Sequence, residues 1–396
     1  MLKVIMNEEE GRRELQRIGV HPEGIDIMLP KLRGMVMKFR EVPPQDALIL
    51  KQEMLSIGGD AAVAEKALPP SSKVTDVLLM GTRKQMMHLA ERLQRQYERL
   101  QLLGNEIARE MENLDKKTTM KIGDRTFSFG TRTYLMGILN VTPDSFYDGG
   151  KYTTVAHAVE RAKELERQGA DIIDIGGESS RPFSEPISAK EELERILPVI
   201  KAMRKEVEVP ISVDTYKPEV AEKALERGAD MINDIMALRN EGMVEVIKEH
   251  DVPVCLMHMK GEPKNMQVKP EYENVTEEVY SFLKERVQFA VERGIAEDRI
   301  IIDPGIGFGK RTGKGIEDNC DIIAHMRELK GMGRPVLVGI SQKTFIGNIL
   351  GAEKGERIEG SLGAEAVAII NGADIIRCHH VLKTKRMAAV VDRIVR

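Results

Sequence analysis

The sequence predicts an α/β protein, a (β/α)8 TIM barrel preceded by a small α+β N-terminal domain. Three observations carry that expectation. From residue 134 onward, short apolar runs alternate with amphipathic segments, and eight such units fill 134–396 without remainder. One helix-to-strand joint recurs. The first 120 or so residues lack that alternation altogether.

The runs read as strands are 134–141, 172–177, 211–215, 231–235, 253–258, 300–305, 336–341 and 375–380. They are rich in Ile, Val and Leu on both faces, as parallel strands covered by helices must be. The joint is Gln168-Gly169-Ala170-Asp171, repeated as Arg227-Gly228-Ala229-Asp230 and Asn371-Gly372-Ala373-Asp374. A glycine closes the helix, a polar step turns the chain, and the next strand begins. Ahead of the first strand, Lys121 to Phe129 reads as a hairpin turning at Gly123-Asp124.

The predicted domains are 1–120 and 121–396. In the first, the expected elements are strands at 2–6, 25–29 and 74–80, and helices at 9–18, 30–39 and 46–56, with a loop at 69–72. Gly58-Gly59 reads as a plain glycine C-cap. Met86, Ala90, Leu93, Tyr97, Leu100, Ile107, Met111 and Leu114 form one helical stripe, provided Gly104 takes a position in it. Such a stripe is expected to lie on its own domain or the next; a dimer seam is the alternative.

A length of 396 residues suits two domains, or a barrel of the class of about 250 residues with an addition. The net charge of -4 argues against a surface built for nucleic acid. The start turns acidic at once and no apolar stretch approaches a membrane span, so a cytoplasmic protein without membrane or nucleic-acid partners is expected. Cys255, Cys320 and Cys378 are too scattered for a disulfide framework or a zinc site, and read as structural.

In such a barrel the strand C-termini build the site. They end on Asn140; Asp174, followed by Glu178, Ser180 and Arg181; Asp214; Asn233; His258; Asp303; Ser341 with Lys343; and Arg377 with His379. Asp214, Asn233, Asp303 and Lys343 suit a flat heterocycle with an N-C-N donor edge, because a carboxylate accepts two parallel N–H bonds. Ser180, Arg181, Lys343, Arg377 and His379 suit phosphate or pyrophosphate; ion pairs closing the barrel mouth are the plainer reading. Asn140 offers Mg2+ one neutral oxygen, enough if a pyrophosphate supplies others. Met257 reads as an apolar wall for a ring, and His258 as structural. Asp303-Pro304-Gly305-Ile306-Gly307-Phe308-Gly309-Lys310 has neither Walker nor dinucleotide spacing, and reads as a flexible loop that lets Asp303 stand clear.

These segments resemble one family. Met-Gly-Ile-Leu-Asn-Val-Thr-Pro-Asp-Ser-Phe at 136–146, Gly-Gly-Glu-Ser-Ser-Arg-Pro at 176–182, Ser-Val-Asp-Thr at 212–215, Ile-Asn-Asp-Ile at 232–235, Asp-Pro-Gly-Ile-Gly-Phe-Gly-Lys at 303–310, Ser-Gln-Lys-Thr-Phe-Ile-Gly at 341–347 and Ile-Ile-Arg-Cys-His at 375–379 are similar to dihydropteroate synthases. The resemblance implies a transferase of folate biosynthesis that joins 6-hydroxymethyl-7,8-dihydropterin pyrophosphate to 4-aminobenzoate. It implies that Asp214, Asn233, Asp303 and Lys343 hold the pterin, with Met257 against the ring. It assigns Mg2+ to Asn140 and pyrophosphate to Ser180, Arg181, Arg377 and His379, with Lys343, Arg377 and His379 as the catalytic set. Loops 142–153 and 178–188 are expected to close over the reactants, and a homodimer comes by analogy. Arg377→Ala is expected to impair mainly turnover and pyrophosphate binding.

The chain departs from the family pattern at Ser180 for Thr, Phe183 for Gly, Gln342 for Arg and His380 for Asp. The last two bear on the aryl-amine side, where a ribosylated amine is the alternative substrate. A pterin-binding methyltransferase and a degenerate barrel acting through its N-terminal domain are the rival readings.

Overall fold

Strand periodicity decides how the barrel is filled. Successive strand side chains point to opposite faces, so each parallel strand sends one set toward the surrounding helices and the other toward the barrel axis. The computed structural model describes residues 8–32, 34–65, 73–114, 116–142, 151–179, 184–313, 315–353 and 355–396. The chain divides into two compact units, Met1–Asp115 and Lys116–Arg396.

In the second unit the barrel strands are β1 (Tyr134–Asn140), β2 (Ile172–Gly176), β3 (Ile211–Asp214), β4 (Met231–Asp234), β5 (Val254–Met257), β6 (Ile300–Asp303), β7 (Leu337–Val338) and β8 (Ile375–Cys378). They run parallel in the order β6-β5-β4-β3-β2-β1-β8-β7. A parallel bridge between Ile302 and Val336 closes the ring. That closure makes it a barrel rather than an open doubly wound sheet, which the recurring joint alone did not distinguish.

The recurring joint does more than turn the chain. Gly169, Gly228 and Gly372 are left-handed, with φ of 101°, 103° and 102°, and each ends a helix. The aspartate that follows then grips the neighbouring strand. Asp171 Oδ2 accepts from Leu135 N at 2.9 Å, Asp230 Oδ2 from Ile211 N at 2.7 Å and Asp374 Oδ2 from Val336 N at 2.9 Å. A slip by one residue would turn every inward side chain outward, and these clamps oppose it.

Outward residues such as Leu135, Ile173, Ile175, Val213, Ile232, Leu256, Ile302 and Ile376 form one large core with the helices. Inward residues at the strand starts, Met136, Ile172, Met231, Cys255, Ile301, Leu337 and Ile375, form a separate apolar floor. The hairpin Thr119–Ile122 and Arg125–Ser128 plugs that floor with Met120, Ile122, Phe127 and Phe129. Tyr134 packs on Phe127 and Phe129 with ring centroids 4.8 and 5.4 Å away. Cys255 and Cys378 are buried and Cys320 is half-buried, all three free.

The first unit is a three-stranded antiparallel sheet, with Thr75–Thr82 between Gly34–Val42 and Asp60–Val63. Helices Pro44–Ser56, Arg83–Leu93 and Glu98–Asn113 supply Leu50, Met54, Leu89, Leu93, Leu100, Ile107 and Met111 to its core. Here several expectations fail. Residues 25–29, expected as a strand, lie in helix Pro22–Met28 and the 3-10 turn Leu29–Lys31. Residues 30–39, expected as a helix, hold most of strand Gly34–Val42, in which Met35, Met37 and Phe39 alternate with more exposed neighbours at period two. Strand Asp60–Val63 was not foreseen. The expected strand at 2–6 and the loop at 69–72 lie outside the described residues.

The stripe from 86 to 114 belongs to two helices that pack on each other, not one. Thr82 and Gln85 form a capping box at the start of the first, and Tyr97 stands at the N-cap position of the second with no side-chain cap bond. Gly104 lies where they cross: a Cβ there would stand 2.9 Å from Ala90 O and 3.0 Å from Leu93 Cβ. Met86, Ala90, Leu93, Leu100, Ile107 and Met111 are buried in the unit's own core, so the stripe is spent on folding. Gly58, at φ 78°, caps helix Pro44–Ser56, and Gly59 N donates to Met54 O at 3.0 Å.

Candidate functional site

One inward step above the apolar floor, the barrel lining turns polar. Ile172 is followed two residues on by Asp174, Met231 by Asn233, Ile301 by Asp303 and Ile375 by Arg377. Asp214 and Asn140 end β3 and β1 at the mouth. Different strands thus deliver their polar ends to one place.

Arg377 is the hub. Its Nε donates to Asp174 Oδ2 at 2.6 Å and its Nη2 to Asp214 Oδ2 at 2.8 Å. Asn233 Nδ2 also donates to Asp174 Oδ2, at 3.2 Å. This corrects the division into a heterocycle set and a separate cationic rim. Arg377 shares the level of Asp174, and two carboxylates removed from water need a counter-charge. The ion-pair reading therefore describes Arg377 in this state.

Burial pushes Asp214 up to about 7, with Arg377 pulling against it. Burial also pushes Asp303 up to about 6, opposed by the Gly305 N–H that Asp303 Oδ1 accepts at 2.7 Å. Lys343 is lowered to about 8 by desolvation and then by Arg377, with Asp303 and Asp214 opposing. Its ammonium lies 4.1 Å from the centre of the Phe308 ring. Three buried oxygens, Asp174 Oδ1, Ser212 Oγ and Asn233 Oδ1, have no hydrogen-bond partner among the described residues. Orphaned acceptors in a polar barrel interior fit a donor-rich ligand.

Met257 joins Ile235, Met236, Met259, Met266 and Phe308 in an apolar cluster. At Gly176 a Cβ would lie 3.9 Å from Asn140 Oδ1 and 3.7 Å from Asp214 Cβ, which puts Asn140 and Asp214 on the two sides of one bare backbone. His379 meets Ser341: its backbone N and its Nδ1 lie 3.3 and 3.2 Å from Ser341 Oγ. Ser180 and Arg181 lie outside the described residues, as do 143–150 and 182–183 of the two expected lids.

Two of the positions that depart from the family pattern, Gln342 and His380, meet each other. Gln342, at φ 62°, brings its Nε2 to 3.5 Å from His380 Nε2, while its Oε1 accepts from Gly355 N at 3.3 Å. A small cleft opens beside Asp214 between Glu178, Glu192, Thr215, Tyr216, Ile235 and Pro263. Lys217 ties its acidic wall, pairing with Glu192 Oε2 at 2.6 Å and with Glu178.

The loop from Asp303 to Lys310 is not flexible as expected. Lys310 is buried, and its ammonium contacts Gly305 O, Phe308 O and His258 Nδ1, each at 2.9 Å. Gly305, at φ 68°, runs so close to His258 that a Cβ would stand 1.9 Å from its carbonyl oxygen. His258 is buried edge-on to Phe282 at 4.9 Å, a structural position. Reading the residues undervalued Asp174, whose signal was its inward register, and gave Lys310 no part. Nothing in one lysine after a run of glycines announces a buried strut.

Among the described residues no three His, Cys, Asp or Glu side chains gather to hold a metal, and no helix is long and apolar enough to cross a membrane. Asn140 fits Mg2+ only as one neutral ligand beside phosphate and water oxygens.

Comparison with known proteins agrees with this geometry. A family described as "Pterin binding enzyme" matches residues 136–379. A dihydropteroate synthase of Clostridium beijerinckii is 44% identical over 279 residues, 70% of this chain and 100% of that protein. A solved dihydropteroate synthase of Xanthomonas albilineans with 4-aminobenzoic acid is 42% identical, with TM-score 0.66, covering 70% of this chain and 98% of that one. A probable bifunctional folylpolyglutamate synthase/dihydropteroate synthase of Halobacterium salinarum is 38% identical over 376 residues, 94% of this chain and 44% of that protein. That last match leaves too few residues uncovered to omit the N-terminal unit.

Proposed function

This chain belongs to the dihydropteroate synthase family of pterin-binding enzymes, and from that premise we propose how its own residues do the family's work. The reaction condenses 6-hydroxymethyl-7,8-dihydropterin pyrophosphate with 4-aminobenzoate to give 7,8-dihydropteroate and pyrophosphate. The carrying observation is the ring of Asp174, Asp214, Asn233 and Asp303, with acceptor atoms left unpaired inside the barrel.

Asp214, Asn233 and Asp303 accept and complete the hydrogen bonds of the pterin's N–H edge, and Lys343 supplies the opposing donor. The cluster of Met257, Ile235 and Phe308 takes the ring faces. An aryl amine is neutral at working pH and needs no strong base, so the barrier lies in breaking the pterin C–O bond. The carboxylate side of the pocket favours the pterin cation that develops, while Lys343, Arg377 and His379 meet the charge left on pyrophosphate, with Ser180 and Arg181 from the second loop. Arg377 couples the two sides, because the guanidinium that faces the leaving group also neutralises Asp174 and Asp214. Asn140 would hold Mg2+ as a neutral ligand, and the ion would supply charge neutralisation to the leaving group.

The enzyme is read as cytoplasmic. As a homodimer it would pair through the exposed Val367 and Ile370 on helix Ile358–Ile370 and Val390 and Ile394 on helix Val381–Val395. The test of the reaction is a coupling assay with pterin pyrophosphate, Mg2+ and either 4-aminobenzoate or its ribosylated phosphate. Pyrophosphate release with 4-aminobenzoate is expected. Release with the ribosylated amine alone would reassign the second substrate to the side where Gln342 and His380 meet, and release with neither would overturn the reading.

A further inference from the structure

Lys310 is 1% exposed, and it touches no carboxylate. Its three N–H bonds reach two backbone carbonyls and a ring nitrogen. Asp303 and Asp318 act on it only at a distance. Burial lowers Lys310 to about 7, the mark of a side chain kept out of water at a cost, so what it holds in place is informative.

The two carbonyls belong to the loop that follows Asp303, and Phe308 of that loop lies in the apolar cluster with Met257. Gly305, whose carbonyl it takes, donates its N–H to Asp303 Oδ1 at 2.7 Å and so orients that carboxylate. Phe308, whose carbonyl it also takes, carries the ring 4.1 Å from the Lys343 ammonium. Between them, Gly307 passes so close to Lys343 that a Cβ would stand 2.9 Å from its Cδ. His258 Nδ1 lies 2.9 Å from the Lys310 nitrogen, and burial, with Lys310 beside it, keeps the imidazole neutral. One side chain thus fixes the backbone that sets Asp303 on one side and Lys343 on the other.

We propose that Lys310 is a positioning residue of the reaction: from beneath the pocket it holds loop 305–308 so that Asp303 and Lys343 keep pterin-binding geometry. The inference rests on the pterin site proposed above. It assigns Lys310 no contact with substrate and no part on the aryl-amine side.

The test is a double-mutant cycle on the full chain. Lys310→Met keeps the length and removes the donors; Lys310→Gln, which keeps two donors, serves if the methionine variant does not fold, as judged by circular dichroism. With wild-type Asp303, Lys310→Met is expected to raise the KM and Kd for pterin pyrophosphate at least about tenfold. The KM for 4-aminobenzoate should stay within about twofold, the Kd for free pyrophosphate should rise less than that for pterin pyrophosphate because only Lys343 is shared, and Lys310→Gln should recover part of the loss. In an Asp303→Asn background the same substitution should cost less than about threefold, because residues acting through one another are not additive. Equal losses in both backgrounds, or equal losses for all three ligands, would reduce Lys310 to a stabilising residue and overturn the proposal. So would unchanged pterin binding. If the wild-type protein bound no pterin pyrophosphate, the reading of the site would fail instead, which the same titration shows first.

Discussion

Replacing Arg377 with methionine tests whether one guanidinium serves both halves of the site. It removes the 2.6 Å bond to Asp174 and the 2.8 Å bond to Asp214, leaving a carboxylate that is 0% exposed and another whose side chain is 12% exposed. Taking one partner from a buried ion pair costs about 3–5 kcal/mol, because the charge left behind stays out of water. The folded variant escapes part of that cost by taking up a proton. Asp214 already sits near 7 with the arginine present, and without it that carboxyl rises further above its unfolded value. The folded state then holds more protons than the unfolded one, so stability falls as pH rises through that window. Each unit between the pH and a raised folded value is worth about 1.4 kcal/mol. Urea unfolding should therefore show a larger loss at pH 8 than at pH 6, by about 1–3 kcal/mol. Titration with pterin pyrophosphate should show weakened binding as well as slowed turnover, a wider effect than a pyrophosphate contact alone would have. A loss below about 1 kcal/mol that does not change with pH would refute the hub.

Asp214→Asn should weaken pterin pyrophosphate at least about 100-fold by calorimetry, since an amide cannot accept two parallel N–H bonds. Pterin binding should be tightest between about 7 and 8, where Asp214 (about 7) and Asp303 (about 6) are ionised and Lys343 (about 8) is still charged; a flat Kd from pH 5 to 9 would contradict those environments. Gly104→Ala, which in an open helix gains about 1 kcal/mol, should instead cost about 1–3 kcal/mol in chemical denaturation. The new Cβ has Ala90 O at 2.9 Å and Leu93 Cβ at 3.0 Å, so a stabilised variant would show that the crossing is looser than drawn.

The barrel was legible because its strands repeat one pattern. Apolar runs end on Asn140, Asp214, Asn233 and Asp303, and the turn from Gly169 to Asp171 recurs at Gly228 and Gly372. Motif identity carried the chemistry the rest of the way. The N-terminal unit was less legible for a physical reason: Met35, Met37 and Phe39 sit among enough helix-forming residues to hide a period of two, and tertiary pairing with Thr75–Thr82 overrode local preference. Gly104 gave the opposite trap, since a stripe can continue across two packed helices as though they were one.

By itself, then, the sequence determined which residues end the strands, and so which polar groups reach the barrel mouth, because side-chain direction follows from a period of two. Only the tertiary structure decided how those groups share their charges. Arg377 turns from the rim to Asp174 and Asp214, and Lys310 passes beneath the pocket to His258. Both choices answer the same need: a charge buried by the fold takes whichever partner the neighbouring strands bring within reach, and strand order in space is not written in any one segment.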